Sequence, residues 1–239
     1  MTFIINPFVF AAPVSSGPTL PVSSGLQLDF DPNAFAGIDQ AIMTGSWSNG
    51  AGVYEPRSQA GTYWQAPGTT HSCNSLATAY FDGFSYGAFF SAGPTLDGPV
   101  LTSFTMFCVL KIKNDGSDHC IFGGVSGAAE WIIKGSDNKQ TATKRGTATL
   151  GSSSTALSTS AFKQIAVTYD GSTVQFYKDG ATDGSASNSQ TMTGKTQYIG
   201  NGSSGGYRYT ARECVYNRVL NSTELSDTFA YLAGRYAVT

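Results

Sequence analysis

Apolar and polar residues alternate with period two through much of the chain, most clearly between Ile165 and Gly180. Ile165, Val167 and Tyr169 fall on one face of a strand. Val174 and Phe176 fall on one face of the next, with Thr173, Gln175 and Tyr177 opposite. This alternation suits a sheet with one buried side and one wetter side. Asp170-Gly171 and Asp179-Gly180 close the two strands. Glycine takes φ > 0 without steric cost, and aspartate bonds its own backbone in such turns. The same reading predicts strands at 26–30, 79–81, 104–113, 119–122 and 130–134. Residues 135–160, rich in Gly, Ser, Thr and Lys, read as weak strands and loops. The stretch carrying Trp47, Tyr54, Tyr63 and Trp64 reads as loop-rich. Near the end the period changes. Leu225, Phe229, Leu232 and Tyr236 fall at i, i+4, i+7 and i+11, one apolar stripe of a helix. Asn221 and Glu224 frame its start as a capping box, and the stripe needs a sheet to cover.

Composition supports many short strands joined by turns: 28 of 239 residues are glycine and only 13% are charged. A single β-sandwich commonly takes roughly 200–250 residues. The formal net charge is -2 and there is no Lys/Arg-rich run, which argues against nucleic-acid binding by phosphate neutralisation. No apolar run approaches the roughly 18 residues of a membrane span. Residues 1–22 differ from the rest. Phe3, Ile4, Ile5, Phe8, Val9 and Phe10 are apolar, no Lys or Arg accompanies them, and a Ser/Gly/Pro stretch follows. Asn6-Pro7 interrupts the run, against a secretory signal. The segment reads either as a frayed terminus or as an extended arm that adds to a neighbouring subunit's sheet edge. The expected organisation is an arm at 1–22 and one domain at 23–239.

The chemistry-bearing residues are sparse. Cys73, Cys108, Cys120 and Cys214 form no C-x-x-C pair and are expected as free thiols; disulfides would need an oxidising compartment. His71, Cys73, His119 and Cys120 fit no standard zinc spacing. Residues 114–118 (Asn-Asp-Gly-Ser-Asp) resemble half of a calcium loop but lack the downstream Glu, and are expected to form a hairpin turn. Calcium is therefore left open, and no other cofactor or metal is expected. Glycosidase chemistry needs two carboxylates about 5–9 Å apart. The chain has four glutamates. Glu224 caps the helix, Glu55 precedes Pro56, and Glu130 and Glu213 have no acidic neighbour within several residues. Asp29 and Asp31 lie two apart, but Pro32 follows at once. A pair assembled from distant strands stays open. Gly-x-Ser-x-Gly at a strand-to-helix elbow is missing, and the expectation is a protein that is not an enzyme. Sugar-binding faces use aromatic rings for stacking. Trp64, Tyr207 and Tyr209 are the candidates, and Tyr207 and Tyr209 alternate around Arg208 so that both share one face. The competing reading makes these aromatics core or sheet-packing residues.

The 167–180 hairpin resembles the "VTYDGS-V-FY-DG" hairpin of laminin-G-like, concanavalin A-like lectin-glucanase jelly-roll domains. Other landmarks agree in order: Phe81-Asp82-Gly83 with "FDG", Ser103-Phe104-Thr105 with "SFT", Ile199-Gly200 with "IG", Tyr216-Asn217-Arg218-Val219-Leu220 with "YNRAL", and Tyr231 to Tyr236 with the closing "YLA-KY" helix. One departure is Glu213-Cys214-Val215-Tyr216, where the family's acid lies one residue further from the Tyr; a bulge or shift in that strand would account for it. The resemblance implies an all-β antiparallel jelly-roll β-sandwich with one C-terminal helix and an extended N-terminal arm. Such domains bind glycans or proteins, and some relatives are glycosidases. The opening "MTFIINP" and the ending are similar to structural proteins of tailed-phage virions. That likeness implies a non-enzymatic virion protein, head decoration or tail component, partnered by capsid or tail subunits in a multi-chain or homo-oligomeric assembly. The alternative is a lectin-like module attaching to a host-surface glycan.

Overall fold

The computed structural model describes residues 19–34, 55–57, 62–65, 67–81, 89–91, 100–199 and 206–239. Among them the chain runs through β1 (Leu26–Phe30), a turn of 3-10 helix at Pro32–Ala34, β2 (Glu55–Arg57), β3 (Thr62–Gln65), β4 (Thr78–Phe81), β5 (Phe89–Ser91) and β6 (Phe104–Ile112). Then follow β7 (His119–Gly124), β8 (Ala129–Ile133), β9 (Lys139–Lys144), β10 (Ala148–Ala156), β11 (Lys163–Tyr169), β12 (Thr173–Lys178) and β13 (Ala181–Ser187). The last elements are β14 (Thr196–Ile199), β15 (Arg208–Tyr216) and helix α1 (Ser222–Tyr236).

The two Asp-Gly turns build one edge of the first sheet. Asp179 and Gly180 have φ of 50° and 83°, so the turn is of the primed kind, and Lys178 pairs directly with Ala181. Asp170 Oδ1 accepts the backbone N–H groups of Thr173 and Ser172, each at 2.7 Å. Those two bonds hold its carboxyl below the ordinary aspartate range. From this edge the sheet runs β13-β12-β11-β6-β15-β4-β3, with β1 also pairing with β15; the second sheet runs β10-β9-β8-β7-β14-β5-β2. All the pairings are antiparallel, as the alternation predicts.

The core lies between the sheets. Ile165, Val167, Tyr169, Val174 and Phe176 point into it, against Phe104, Phe122 and Trp131. Full burial of each such aliphatic or aromatic side chain is worth roughly 1.5–3 kcal/mol. A second apolar layer covers the outer side of the first sheet. There α1 lays Leu225, Phe229, Leu232 and Tyr236 on Phe107, Val109, Ala166 and Cys214. The capping box forms: the Glu224 N–H donates to Asn221 Oδ1 at 3.0 Å, and the Asn221 N–H donates to Glu224 Oε2 at 2.9 Å.

Three expectations need correction. Residues 135–160 are not loosely structured but form the β9–β10 hairpin, because Ala142 and Leu150 still reach the core between the hydroxyl residues. Gly151 is needed there: a Cβ would stand 2.8 Å from the side chains of Val174 and Ala186. The stretch read as loop-rich contains the edge strands β2 and β3, and Pro56 sits in an edge strand, where its missing N–H costs least. Finally, residues 114–118 do not close a hairpin, because β6 and β7 belong to different sheets.

Strand β15 carries the irregularity that the displaced acid suggested. Thr210 pairs with Leu110 and Arg212 with Val109, so Ala211 is an extra residue, a β-bulge. At the N-terminal side, Leu20 and Val22 are buried in the helix-side layer, and the Tyr216 hydroxyl donates to the Val22 carbonyl at 3.1 Å. Phe3, Ile4, Ile5, Phe8, Val9 and Phe10 lie outside the described residues. Among the described residues no helix is long and apolar enough to cross a membrane.

Candidate functional site

The site grows from the alternation of β4 and β15. Ala79 and Phe81 turn into the core, which leaves Tyr80 on the outer face. Arg208 turns inward, which leaves Tyr207 and Tyr209 outward. Tyr209 pairs in register with Tyr80 on one side and Lys111 on the other. The Tyr80 and Tyr209 rings lie 4.9 Å apart. His71 stacks on Tyr209 at 4.7 Å with its plane only 6° off parallel, and Tyr207 stacks on Tyr80 at 6.2 Å. The result is a row, His71–Tyr209–Tyr80–Tyr207. Lys113 closes it, with Nζ 5.3 Å from the Tyr207 ring centroid and 5.7 Å from that of Tyr80. His71, Tyr80 and Tyr207 are half-buried and Lys113 is exposed. Tyr209 is only 8% exposed, and burial raises its phenol above the ordinary pKa.

Backbone bonds hold the row in place. The Thr78 hydroxyl donates to the His71 carbonyl at 2.9 Å. The Tyr207 N–H donates to Asp115 Oδ2, and the Lys113 N–H donates to the Tyr207 carbonyl, both at 3.0 Å.

Directly beneath the rings lies a buried polar centre. The Arg208 guanidinium donates to Glu213 Oε1 at 2.6 Å, to the Cys120 carbonyl at 2.5 Å and to Thr210 Oγ1 at 3.3 Å, and it lies 4.3 Å over the Phe81 ring. The Thr210 hydroxyl and the Cys108 thiol also donate to Glu213 Oε1, at 3.2 and 3.6 Å. Burial pushes the Glu213 carboxyl up to about 7, although Arg208 opposes it. His119 is 1% exposed, with Nε2 3.8 Å from Asp115, and burial lowers its pKa against the pull of that acid.

The row brings together two of the three sequence candidates, Tyr207 and Tyr209, on the shared face that the alternation predicts. In the ladder Trp64 stands opposite Ala79, and Tyr63 opposite Tyr80. Trp47 lies outside the described residues. Tyr80, His71 and Lys113 carried no sequence signal of their own, since each reaches Tyr207 or Tyr209 only through sheet pairing.

The other chemistry-bearing residues are dispersed. His71 is on the outer face and His119 in the interior, and all four cysteines are buried free thiols. Asp115 Oδ1 accepts the Ser117 N–H at 2.8 Å, and Asp118 accepts from Lys134 Nζ at 2.7 Å and from the Gly135 N–H at 2.8 Å. Among the described residues no group of three or more His, Cys, Asp or Glu could hold a metal ion. Glu130 accepts from the Thr143 hydroxyl at 3.0 Å, beside a polar trough of about 350 Å³ on the second sheet that Asp118 and Lys134 also line.

Comparison with known proteins gives a coherent result. The family model described as the concanavalin A-like lectin/glucanases superfamily matches residues 81–226, more than half of the chain. No curated protein matches. Among solved structures, a Trypanosoma rangeli sialidase in complex with 2,3-difluoro-KDN is similar, with TM-score 0.61 and 15% identity over 99% of this chain and 37% of that one. The binding domain of botulinum neurotoxin DC in complex with SialylT gives TM-score 0.57 and 9% identity over 88% of this chain and 52% of that one. The botulinum neurotoxin type G receptor-binding domain gives 0.57 and 13% over 87% and 51%. The chain therefore spans between about a third and about half the length of these structures, and at such identities the likeness is one of fold.

Proposed function

Because the chain belongs to the concanavalin A-like lectin/glucanase superfamily, we propose that it is a non-catalytic carbohydrate-binding protein that seats a sugar against the Tyr80–Tyr207 end of the aromatic row. The observation that carries this reading is the row itself: stacked, half-buried rings on an outer sheet face with an exposed ammonium beside them. The apolar face of a pyranose packs on such rings, and nearby polar groups fix its orientation. The sialidase complex and the toxin domain bound to SialylT lend support from the same fold. The non-catalytic part is supported by the company the acids keep. Glu213 is held by Arg208, Glu224 by the helix start and Arg218, and Asp29 and Asp31 by Arg212.

A glycan array with intact protein, Tyr207→Ala and Tyr80→Ala tests the proposal. Each substitution is expected to weaken the strongest signal about fivefold or more, since an aromatic contact is worth about 1 kcal/mol beyond its area. No glycan signal from intact protein would sink it.

A second reading concerns the setting. Assembly into a phage virion, as head decoration or tail component, would use the apolar segment before residue 19. It rests on the apolar residues Phe3, Ile4, Ile5, Phe8, Val9 and Phe10 of that segment and on backbone addition to a neighbouring sheet edge. Deleting residues 1–18 is expected to leave a folded protein that is no longer incorporated into particles; normal incorporation by the truncated protein contradicts this reading.

A further inference from the structure

Building on the glycan-binding reading, we infer that the sugar seated on the row is negatively charged and that Lys113 is the residue that recognises its anionic group. The chain as a whole is slightly acidic, at -2. The row runs against that balance. Lys113 is exposed, and its Nζ is placed between two rings. Lys111, two residues earlier on the same face of β6, stands in register with Tyr209. The nearby acid, Asp115, turns one oxygen to the Ser117 N–H and the other to the Tyr207 N–H.

An ammonium offers three donors and no acceptor. A neutral pyranose asks for acceptors as well as donors from the groups around it. A carboxylate or sulfate at the edge of the ring asks for donors alone, and charge-assisted hydrogen bonds are roughly twice as strong as neutral ones. The position of Lys113 is fixed from behind, because its own N–H bonds the Tyr207 carbonyl. A ring stacked on Tyr207 thus presents its edge to Nζ without the lysine having to leave the rings. Lys is a point charge that suits either anion, whereas planar bidentate recognition would call for arginine.

The experiment compares paired oligosaccharides on the intact protein: N-acetylneuraminyl-lactose against lactose, a galacturonic-acid oligomer against its methyl ester, and a sulfated galactose oligomer against its desulfated form. The expected result is a preference of about tenfold for the acidic member of at least one pair, weakening as salt is raised. The pair that shows it distinguishes carboxylate from sulfate. Lys113→Gln is expected to bring the acidic-to-neutral affinity ratio of that pair to about one, and Tyr207→Ala to weaken both members. Equal binding of acidic and neutral members, or a preference that survives in Lys113→Gln, overturns the inference and leaves the glycan-binding reading standing. Absence of binding to every glycan overturns both.

Discussion

Two arginines four residues apart on β15 do opposite jobs. Arg208 faces the interior, where one acid, one carbonyl and one phenyl ring receive it. Arg212 faces the helix side, where both oxygens of Asp29 receive it at 2.5 Å and Asp31 accepts a further bond. Arg235, from the last turn of α1, reaches the same Asp31 at 3.1 Å. In a regular strand, residues four apart share a face; the bulge at Ala211 separates these two. The difference shows how one strand divides its labour. The inner pair braces the segment that carries Tyr207 and Tyr209. The outer network ties β1 and the helix end to the sheet. Asp29 shows the cost of the second arrangement, since burial raises its pKa even against Arg212.

The division can be broken at either arginine. Arg208→Met leaves Glu213 in the interior without its cation, and removing one partner of a buried pair costs about 3–5 kcal/mol. It should also reduce glycan affinity under conditions where the variant is still folded. Arg212→Met should cost less, about 3 kcal/mol, because Arg235 still neutralises Asp31, and it should leave affinity unchanged. Urea unfolding and glycan titration on both variants decide the matter; equal losses of affinity would abolish the distinction.

A smaller effect comes from Glu213→Gln. The carboxyl titrates near 4.5 in the unfolded chain and about 7 in the folded protein. The folded state therefore holds this proton more tightly, and the group's contribution is fully present below pH 4.5 and lost as pH rises towards 7. Relative to Glu213→Gln, the wild type should lose about 2 kcal/mol between pH 5 and pH 7. Urea midpoints at the two pH values measure it, and a constant difference between the proteins would show that Glu213 does not titrate there.

The sequence made the β11–β13 meander legible because two Asp-Gly turns fix its register locally. It made α1 legible because the cap and the stripe are both local. The β9–β10 hairpin was hidden because its faces differ by hydroxyl against small apolar residues, not by charge against hydrocarbon. At the site, Tyr207 and Tyr209 could be placed on one face by counting. Tyr80 could not be joined to them, because more than a hundred residues intervene and only the β4–β15 register brings the rings together. The displaced acid before Tyr216 hinted at a bulge, yet nothing local told that Arg208 would turn inward and Arg212 outward.

The two ends of the described domain attach at opposite ends of β15. Val22 meets the strand at Tyr216, whose hydroxyl donates to the Val22 carbonyl at 3.1 Å. The end of α1 lies at the ring end: the Cys73 thiol donates to the Tyr236 carbonyl at 3.5 Å and the Asn74 side chain to the Arg235 carbonyl at 2.9 Å, just beyond His71, which stacks on Tyr209. Tyr209 lies seven residues from Tyr216 along the strand, roughly 20 Å at strand spacing. A pull at Val22 therefore loads β1 and the Arg212 clamp before it strains the ladder around Tyr209, whereas a pull at Val238 is felt at once by the segment that carries His71, the outermost ring of the row.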